Sequence, residues 1–285
     1  MNVQMSVQQP VDTGVHASMA SLTATLFGFL LLGAGNVLAA ADVTTYPSRL
    51  SWVAQTLGPT LLALVVVVHV EHLGYRIGRP AVGLMIVGSL CLGLSASPFI
   101  FDPSRFAEES WSNVAYSIWG SGLICLGLGL LAIIVHKERQ IEAGIEQIAD
   151  VGDSDESNIS VHASFFSLST GFLGFILYAA GYLQLVGLPE GTRWSWTLQL
   201  IGCLLLAVAG ISHLEHLVRH IGHGALVFAV AGLLLLAVSS LPFVVNPANV
   251  GSPDWGQTFW NVWGAGALCG AAASALVMRR KWRVD

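Results

Sequence analysis

Eight apolar runs divide this chain. Asp, Glu, Lys, Arg and His are missing from Ala17 to Ala41, Leu50 to Val68, Pro80 to Phe101, Ser110 to Val135, Ala163 to Pro189, Trp194 to Ser212, Gly224 to Pro253 and Trp255 to Met278. A helix needs roughly 20 residues to cross the hydrocarbon core of a bilayer, and each run comes close to that length or exceeds it. Lipid cannot satisfy exposed backbone N–H and C=O groups, so helices are the form such runs take. The alternation of a membrane β-barrel is absent. The pattern predicts an all-α polytopic membrane protein with transmembrane helices over about 20–41, 53–75, 80–100, 112–136, 164–186, 195–218, 222–245 and 256–279.

The pattern is written twice. From Trp52 onward the two halves align at an offset of 144, pairing Trp52 with Trp196, Gln55 with Gln199, Pro98-Phe99 with Pro242-Phe243 and Trp119-Gly120 with Trp263-Gly264. His69-Val70-Glu71-His72-Leu73 returns as His213-Leu214-Glu215-His216-Leu217. The first run joins at an offset of 146, where Gly28-Phe29 and Gly35 match Gly174-Phe175 and Gly181. Rare Trp and Pro coincidences at one spacing indicate an internal duplication. The expected arrangement is eight helices as two tandem four-helix repeats, 20–136 and 163–280, with a polar tail at 1–19, an acidic cytoplasmic linker at 137–162 and a basic tail at 281–285. An even number of helices per repeat gives both the same orientation, hence a pseudo-twofold along the membrane normal. The first run ends Val37-Leu38-Ala39-Ala40-Ala41-Asp42, which imitates a signal-peptide cleavage site. Its counterpart lies in mid-chain, so the run reads as a retained span.

Composition sharpens the environment. Charged residues make up 10% of the chain and hydrophobic ones 54%, against about 25% charge in soluble domains, so the surface must be solvated by lipid. The lipid bilayer is therefore the first expected partner, and other membrane subunits are a further one. The net charge of -5 comes largely from the linker, which gives no basic footprint for nucleic acid. Cys91, Cys125, Cys203 and Cys269 lie inside apolar runs without CxxC spacing and read as small packing residues.

Basic residues are unevenly shared. Arg76, Arg79, Lys137, Arg139, Arg219, Arg279, Arg280, Lys281 and Arg283 fall on one side, and only Arg49, Arg105 and Arg193 on the other. The positive-inside rule then places both termini in the cytoplasm, in a multi-pass plasma-membrane protein. Trp52, Trp111, Trp194, Trp196 and Trp255 are expected to form an aromatic belt on the far side. Trp119 and Trp263, set deeper beside glycines, read as helix-packing residues. Pro98 and Pro242 are expected to end the third and seventh helices.

The candidate chemistry sits at the predicted cytoplasmic ends of the second and sixth helices. Positions 69, 72, 76 and 79 step by three, four and three, so on one helix they share a stripe. The stripe carries His69, His72, Arg76 and Arg79 in one half and His213, His216, His220 and His223 in the other. Glu71 and Glu215 point to a different face, and Arg219 stands four residues after Glu215, in reach of it. Three readings are open. The side chains can snorkel at the headgroup boundary. His69, His72, His213 and His216 can gather a transition metal or ligate haem, with Arg76 and Arg79 suited to propionates. The same His, Glu and Arg groups can form a proton or small-solute path of a transporter or channel. A non-catalytic membrane scaffold or accessory subunit is a further alternative. The spacing is not HExxH, and there is no P-loop or GxSxG elbow, so no enzyme class is assigned.

Overall fold

The computed structural model describes residues 18–42, 46–143, 163–188, 190–212 and 221–284, with Glu71, His72 and Val284 described by their backbone alone. Among these residues the chain is helical, with no strand. Eight long helices run as α1 (Met19–Ala41), α2 (Arg49–Val68), α3 (Arg79–Ala96), α4 (Glu109–Glu142), α5 (Phe165–Leu183), α6 (Arg193–Ile211), α7 (His223–Ser239) and α8 (Pro253–Val284). With their short extensions all eight are long and apolar enough to cross a membrane, as expected of a multi-pass membrane protein.

Helix starts explain themselves locally. Ser18, Ser48, Ser164 and Thr192 precede α1, α2, α5 and α6, and each side-chain oxygen accepts from the N–H three residues on. Such caps satisfy donors that the helix cannot pair for itself. α3 and α7 start differently, after Gly78 (φ 89°) and Gly222 (φ 86°). With ψ of 137° and 155°, both sit in a region that only glycine enters cheaply. α3 stops at Ala96 and α7 at Ser239, just before Pro98 and Pro242, as the missing proline N–H predicts. Each is followed by one short helical turn, Pro98–Phe101 and Leu241–Val245, and by a 3-10 turn opened by Asp102 or Asn246.

Each long helix packs chiefly against its neighbours in the chain, and α8 returns to pack against α1, so the eight close into a circuit. Glycines set the spacing. A β-carbon at Gly88 in α3 would lie 2.8 Å from the Gly122 carbonyl oxygen in α4, and one at Gly232 in α7 would lie 2.7 Å from that of Gly266 in α8. Gly28 against Gly58, and Gly174 against Gly202, do the same for α1–α2 and α5–α6. These contacts replace side-chain bulk with close backbone approach, the usual way helices associate where lipid removes the hydrophobic drive. The α8–α1 and α4–α5 joints are matched too: Gly264 meets Gly33, and Gly120 meets Leu183 and the Ala179 carbonyl.

The circuit has two unlike ends. One collects His69, Arg76, Arg79, His136, Lys137 and Arg280, and is called the basic end below. The other collects the loops after α1, α3, α5 and α7 with Trp52, Trp111, Trp194, Trp196 and Trp255, and is called the tryptophan end. Trp194 and Trp255 are exposed there, in keeping with an interfacial belt, but Trp52 and Trp196 keep only 3% and 6% of their surface exposed. Their place in the belt is corrected: both turn inward, where Phe99, Phe106 and Phe243 cover them.

Candidate functional site

The basic end differs from the expected stripe. α2 ends at Val68, with His69 as its C-cap, and a short helix at Val70–Leu73 leads into a π-helical turn at Gly74–Gly78. Gly78 then redirects the backbone before Arg79 opens α3. His69, Arg76 and Arg79 therefore belong to three separate pieces of backbone and not to one helical face. Side-chain spacing reads character and period, but it does not register the freedom that Gly74 and Gly78 give the main chain.

His69 is half-buried, and its Nε2 lies 2.7 Å from Ser21 Oγ in α1, which ties the end of α2 to the start of α1. Arg79 is exposed beside Tyr75 and Val82 in a surface hollow, and His223 is exposed at the start of α7. The side chains of Glu71 and His72, and all of His213, Glu215, His216, Arg219 and His220, lie outside the described residues, as does the acidic linker beyond Ala143. Among the described residues no three His, Cys, Asp or Glu side chains gather as a metal site would require. A histidine outside the stripe takes the central place. His136 in α4 packs on Gly78, and its Nε2 lies 3.3 Å from the Tyr75 carbonyl oxygen and 3.2 Å from Gln140 Nε2. One nitrogen cannot donate to the carbonyl and accept from the amide together, so the tautomer selects the partner. Arg280 packs on Gly222 in the same way.

The tryptophan end holds what the sequence pattern did not expose. A cavity of about 120 Å³ opens between the helices of the two halves. Trp52, Trp119, Trp196, Trp260 and Trp263 line it, with Phe99, Phe106, Phe259, Tyr116 and Tyr182. The rings interlock: Trp119 and Trp263 lie 6.1 Å apart by centroid, Trp119 and Tyr182 5.7 Å, and Trp196 and Phe243 4.6 Å. Asn36, Gln55 and Ser95 supply the polar groups, and no charged side chain is among the lining residues. Both amide nitrogens are used inside the protein. Asn36 donates to the Leu32 carbonyl at 2.7 Å, and Gln55 donates to Ser51 Oγ at 3.0 Å.

The indole N–H groups of two of these tryptophans differ from the rest. Trp52 Nε1 and Trp119 Nε1 are buried and have no hydrogen-bond partner among the described residues. Their counterparts are satisfied: Trp196 Nε1 donates to the Glu190 carbonyl at 3.2 Å, and Trp263 Nε1 donates to Tyr178 Oη at 3.4 Å. Leu32 explains the second contrast. It holds in α1 the position that Tyr178 holds in α5, at the offset of 146, and Trp119 packs against the cluster that contains it. Leucine offers no acceptor. A buried donor left unpaired costs about 1–3 kcal/mol, and Gln199 Nε2 in α6 is a further buried donor without a partner among the described residues.

The cavity was missed because its walls had bland explanations one at a time, as belt or packing residues. The available signal was that four of its tryptophans recur as pairs at the common offset.

Compared with known proteins, the chain matches no family model, no curated protein and no solved structure.

Proposed function

We propose that this is a plasma-membrane protein built from two copies of one four-helix unit, related by a pseudo-twofold along the membrane normal, with both termini cytoplasmic. Its function is to bind a small organic molecule in the aromatic cavity at the tryptophan end. The observation that carries this reading is a cavity walled by aromatic rings with no charged side chain among its lining residues. A cavity of about 150 Å³ takes up benzene, and the space here, at about 120 Å³, is slightly smaller, so one small ring is the most it takes without the walls moving apart. The outward placement of the mouth follows from the distribution of arginine and lysine.

The His, Glu and Arg groups of the basic end are assigned to the headgroup boundary, where Arg79 and His223 are exposed and His69 is engaged by Ser21. A Soret band or stoichiometric metal in the purified protein, lost on replacing His69 and His213 together, would replace that assignment with the haem or metal reading.

The cavity reading is tested by calorimetry on the protein in lipid nanodiscs with four one-ring probes: acetophenone, α-methylstyrene, phenyltrimethylammonium and benzoate. Saturable binding of at least one, abolished by Ala115→Phe, is expected. Ala115 lines the cavity and its counterpart is Phe259, so the larger side chain already has a place in the equivalent position. Failure of all four probes to bind sinks the reading. Flux of the bound probe into liposomes would extend it to transport, and its absence leaves a binding protein.

A further inference from the structure

We infer that the hollow between the π-helical turn and α3 binds one anionic phospholipid, its phosphate on Arg79 and Tyr75 and an acyl chain along the outer face of α3. The inference is separate from the aromatic cavity and rests only on the placement of the basic end at the headgroup boundary.

The hollow has a volume of about 450 Å³, inside the roughly 300–1,000 Å³ typical of ligand clefts. Its walls divide by character. Tyr75 and Arg79 supply the polar part, and Val70, Val82, Gly83 and Ile86 the apolar part. Among the described residues Arg79 is its one charged side chain. Arg79 Cγ lies 3.3 Å from where a β-carbon at Gly74 would stand, so the stem rests on the π-helical turn. Both Arg79 and Tyr75 are exposed, Tyr75 over 70% of its surface.

An apolar track continues from this hollow. Gly83, Val87, Leu90 and Leu94 are spaced by four, three and four and are all exposed, so they share one face of α3. At 1.5 Å per residue the track is about 16 Å long, the depth of one leaflet of a roughly 30 Å hydrocarbon core. A guanidinium and a phenol above a leaflet-long apolar track match a lipid. A free anion would use the top of this surface and ignore the rest.

The charge selects the headgroup. A guanidinium donates two parallel N–H bonds to phosphate oxygens, and the Tyr75 hydroxyl is a further donor. A zwitterionic headgroup brings the same phosphate together with its own cation, which competes with Arg79 for it. A headgroup of net negative charge has no such competitor, and basic pockets at membrane-protein interfaces hold lipids of that kind.

The second half lacks the combination. At the offset of 144, His223 stands for Arg79 and Val227 for Gly83. A histidine offers neither the permanent charge nor the fork of an arginine. Valine also adds bulk at a position where, in α3, a β-carbon would meet nothing within 4 Å. The apolar face itself persists in α7, with Val227, Leu234 and Val238 exposed. Contact with lipid tails is therefore common to both halves, and the headgroup seat belongs to the first.

The experiment titrates the full chain, purified in an uncharged detergent, with phosphatidylglycerol and with phosphatidylcholine of the same acyl chains. Native mass spectrometry counts the lipid retained. One phosphatidylglycerol per chain is expected to bind about tenfold more tightly than phosphatidylcholine, the ratio that one charge-assisted hydrogen bond supports. Arg79→Gln should bring that ratio to about one, and Arg79→Lys should keep part of it. Gly83→Val, which copies the second half and leaves every charge in place, should also bring it to about one. Arg139→Gln removes the same charge from an exposed position at the same end and should leave the ratio unchanged. The ratio is taken within each variant, so a general loss of shape cancels from it. Equal binding of the two lipids by the unmodified protein overturns the inference, as does a ratio that survives Arg79→Gln or Gly83→Val. An equal fall in Arg139→Gln overturns it as well, because diffuse charge would then account for the binding. Displacement of the lipid by millimolar inorganic phosphate overturns it in favour of a free anion. Each of these outcomes leaves the aromatic cavity and the headgroup placement of the basic end untouched.

Discussion

The two halves of this protein use the same aromatic framework in different ways. In the second half the framework is closed on itself, with Trp196 held by the Glu190 carbonyl and Trp263 by the Tyr178 hydroxyl. In the first half Trp52 and Trp119 hold the matching sequence positions, and their N–H groups have no partner among the described residues. The α1–α2 and α3–α4 contacts recur glycine for glycine in α5–α6 and α7–α8, while the polar pairing of the rings differs. A fold can hold its helices by one rule on both sides and still differentiate a site through a single exchange such as leucine for tyrosine.

The packing side of this comparison predicts the largest effect. Gly88→Leu and Gly232→Leu would each push apart a helix pair now at backbone contact, costing about 3 kcal/mol or more and giving the same drop in melting temperature. Gly83→Ala, where a β-carbon meets nothing within 4 Å, should stay within about 0.5 kcal/mol. A large difference between the Gly88 and Gly232 variants would break the equivalence. Next come Gly78→Ala and Gly222→Ala, each expected to cost about 1–3 kcal/mol because the positive φ is retained by the surrounding helices.

The polar side predicts a smaller, signed difference. Trp263→Phe removes a made hydrogen bond to the Tyr178 hydroxyl, whereas Trp119→Phe removes a donor that has no partner among the described residues. The volume lost is the same, so thermal unfolding should show Trp263→Phe the more damaging by about 1 kcal/mol. Equal losses would mean that Trp119 has a partner of comparable strength.

The smallest effect concerns the loops. Asp102 accepts from Ser104 N–H at 3.1 Å and from Ser104 O–H at 2.6 Å, while Asn246 accepts from Ala248 N–H at 3.3 Å. The Ser104 hydroxyl chiefly holds the Asp102 carboxyl below its ordinary range. A lowered folded-state value means that the turn's stabilisation is present above the ordinary aspartate range and is lost as pH falls through the lowered value. An NMR titration should find the Asp102 midpoint below that of a free aspartate. Asp102→Asn, which copies the other half, keeps an acceptor for the N–H two residues on but loses the carboxylate, and should lower the melting temperature at neutral pH only slightly.

Much of the fold was readable from hydropathy, because lipid enforces a simple rule on long apolar segments. The predicted spans at 20–41, 80–100 and 222–245 closely match what is seen. The apolar pattern carries the second helix to residue 75, whereas it ends at Val68, since Val70, Leu73 and Ile77 keep the segment apolar while two glycines bend it. α4 was drawn to residue 136 and continues to Glu142, its last turns being polar and therefore invisible to a hydropathy criterion. The site was less legible. Histidine and arginine stand out by their rarity in such a chain, and they single out the basic end. The aromatic cavity depends on which face of each helix turns inward, and neighbouring apolar residues on every side erase that signal. Inspection of Trp52 and Trp196 as an inward-facing pair required their neighbours Phe99 and Phe243 to be placed in space.

Closure of α8 onto α1 has a consequence for the topology as a whole. Met19 packs in the same cluster as Met278 and Val277, just as Ala163 packs with Ile133 and Ile134 across the connection between the halves. The two seams of the circle are therefore alike, and one is bridged covalently only by the order of synthesis. A permuted polypeptide that begins at α5, runs through α8 and continues by a short tether into α1 has every interhelical surface it needs.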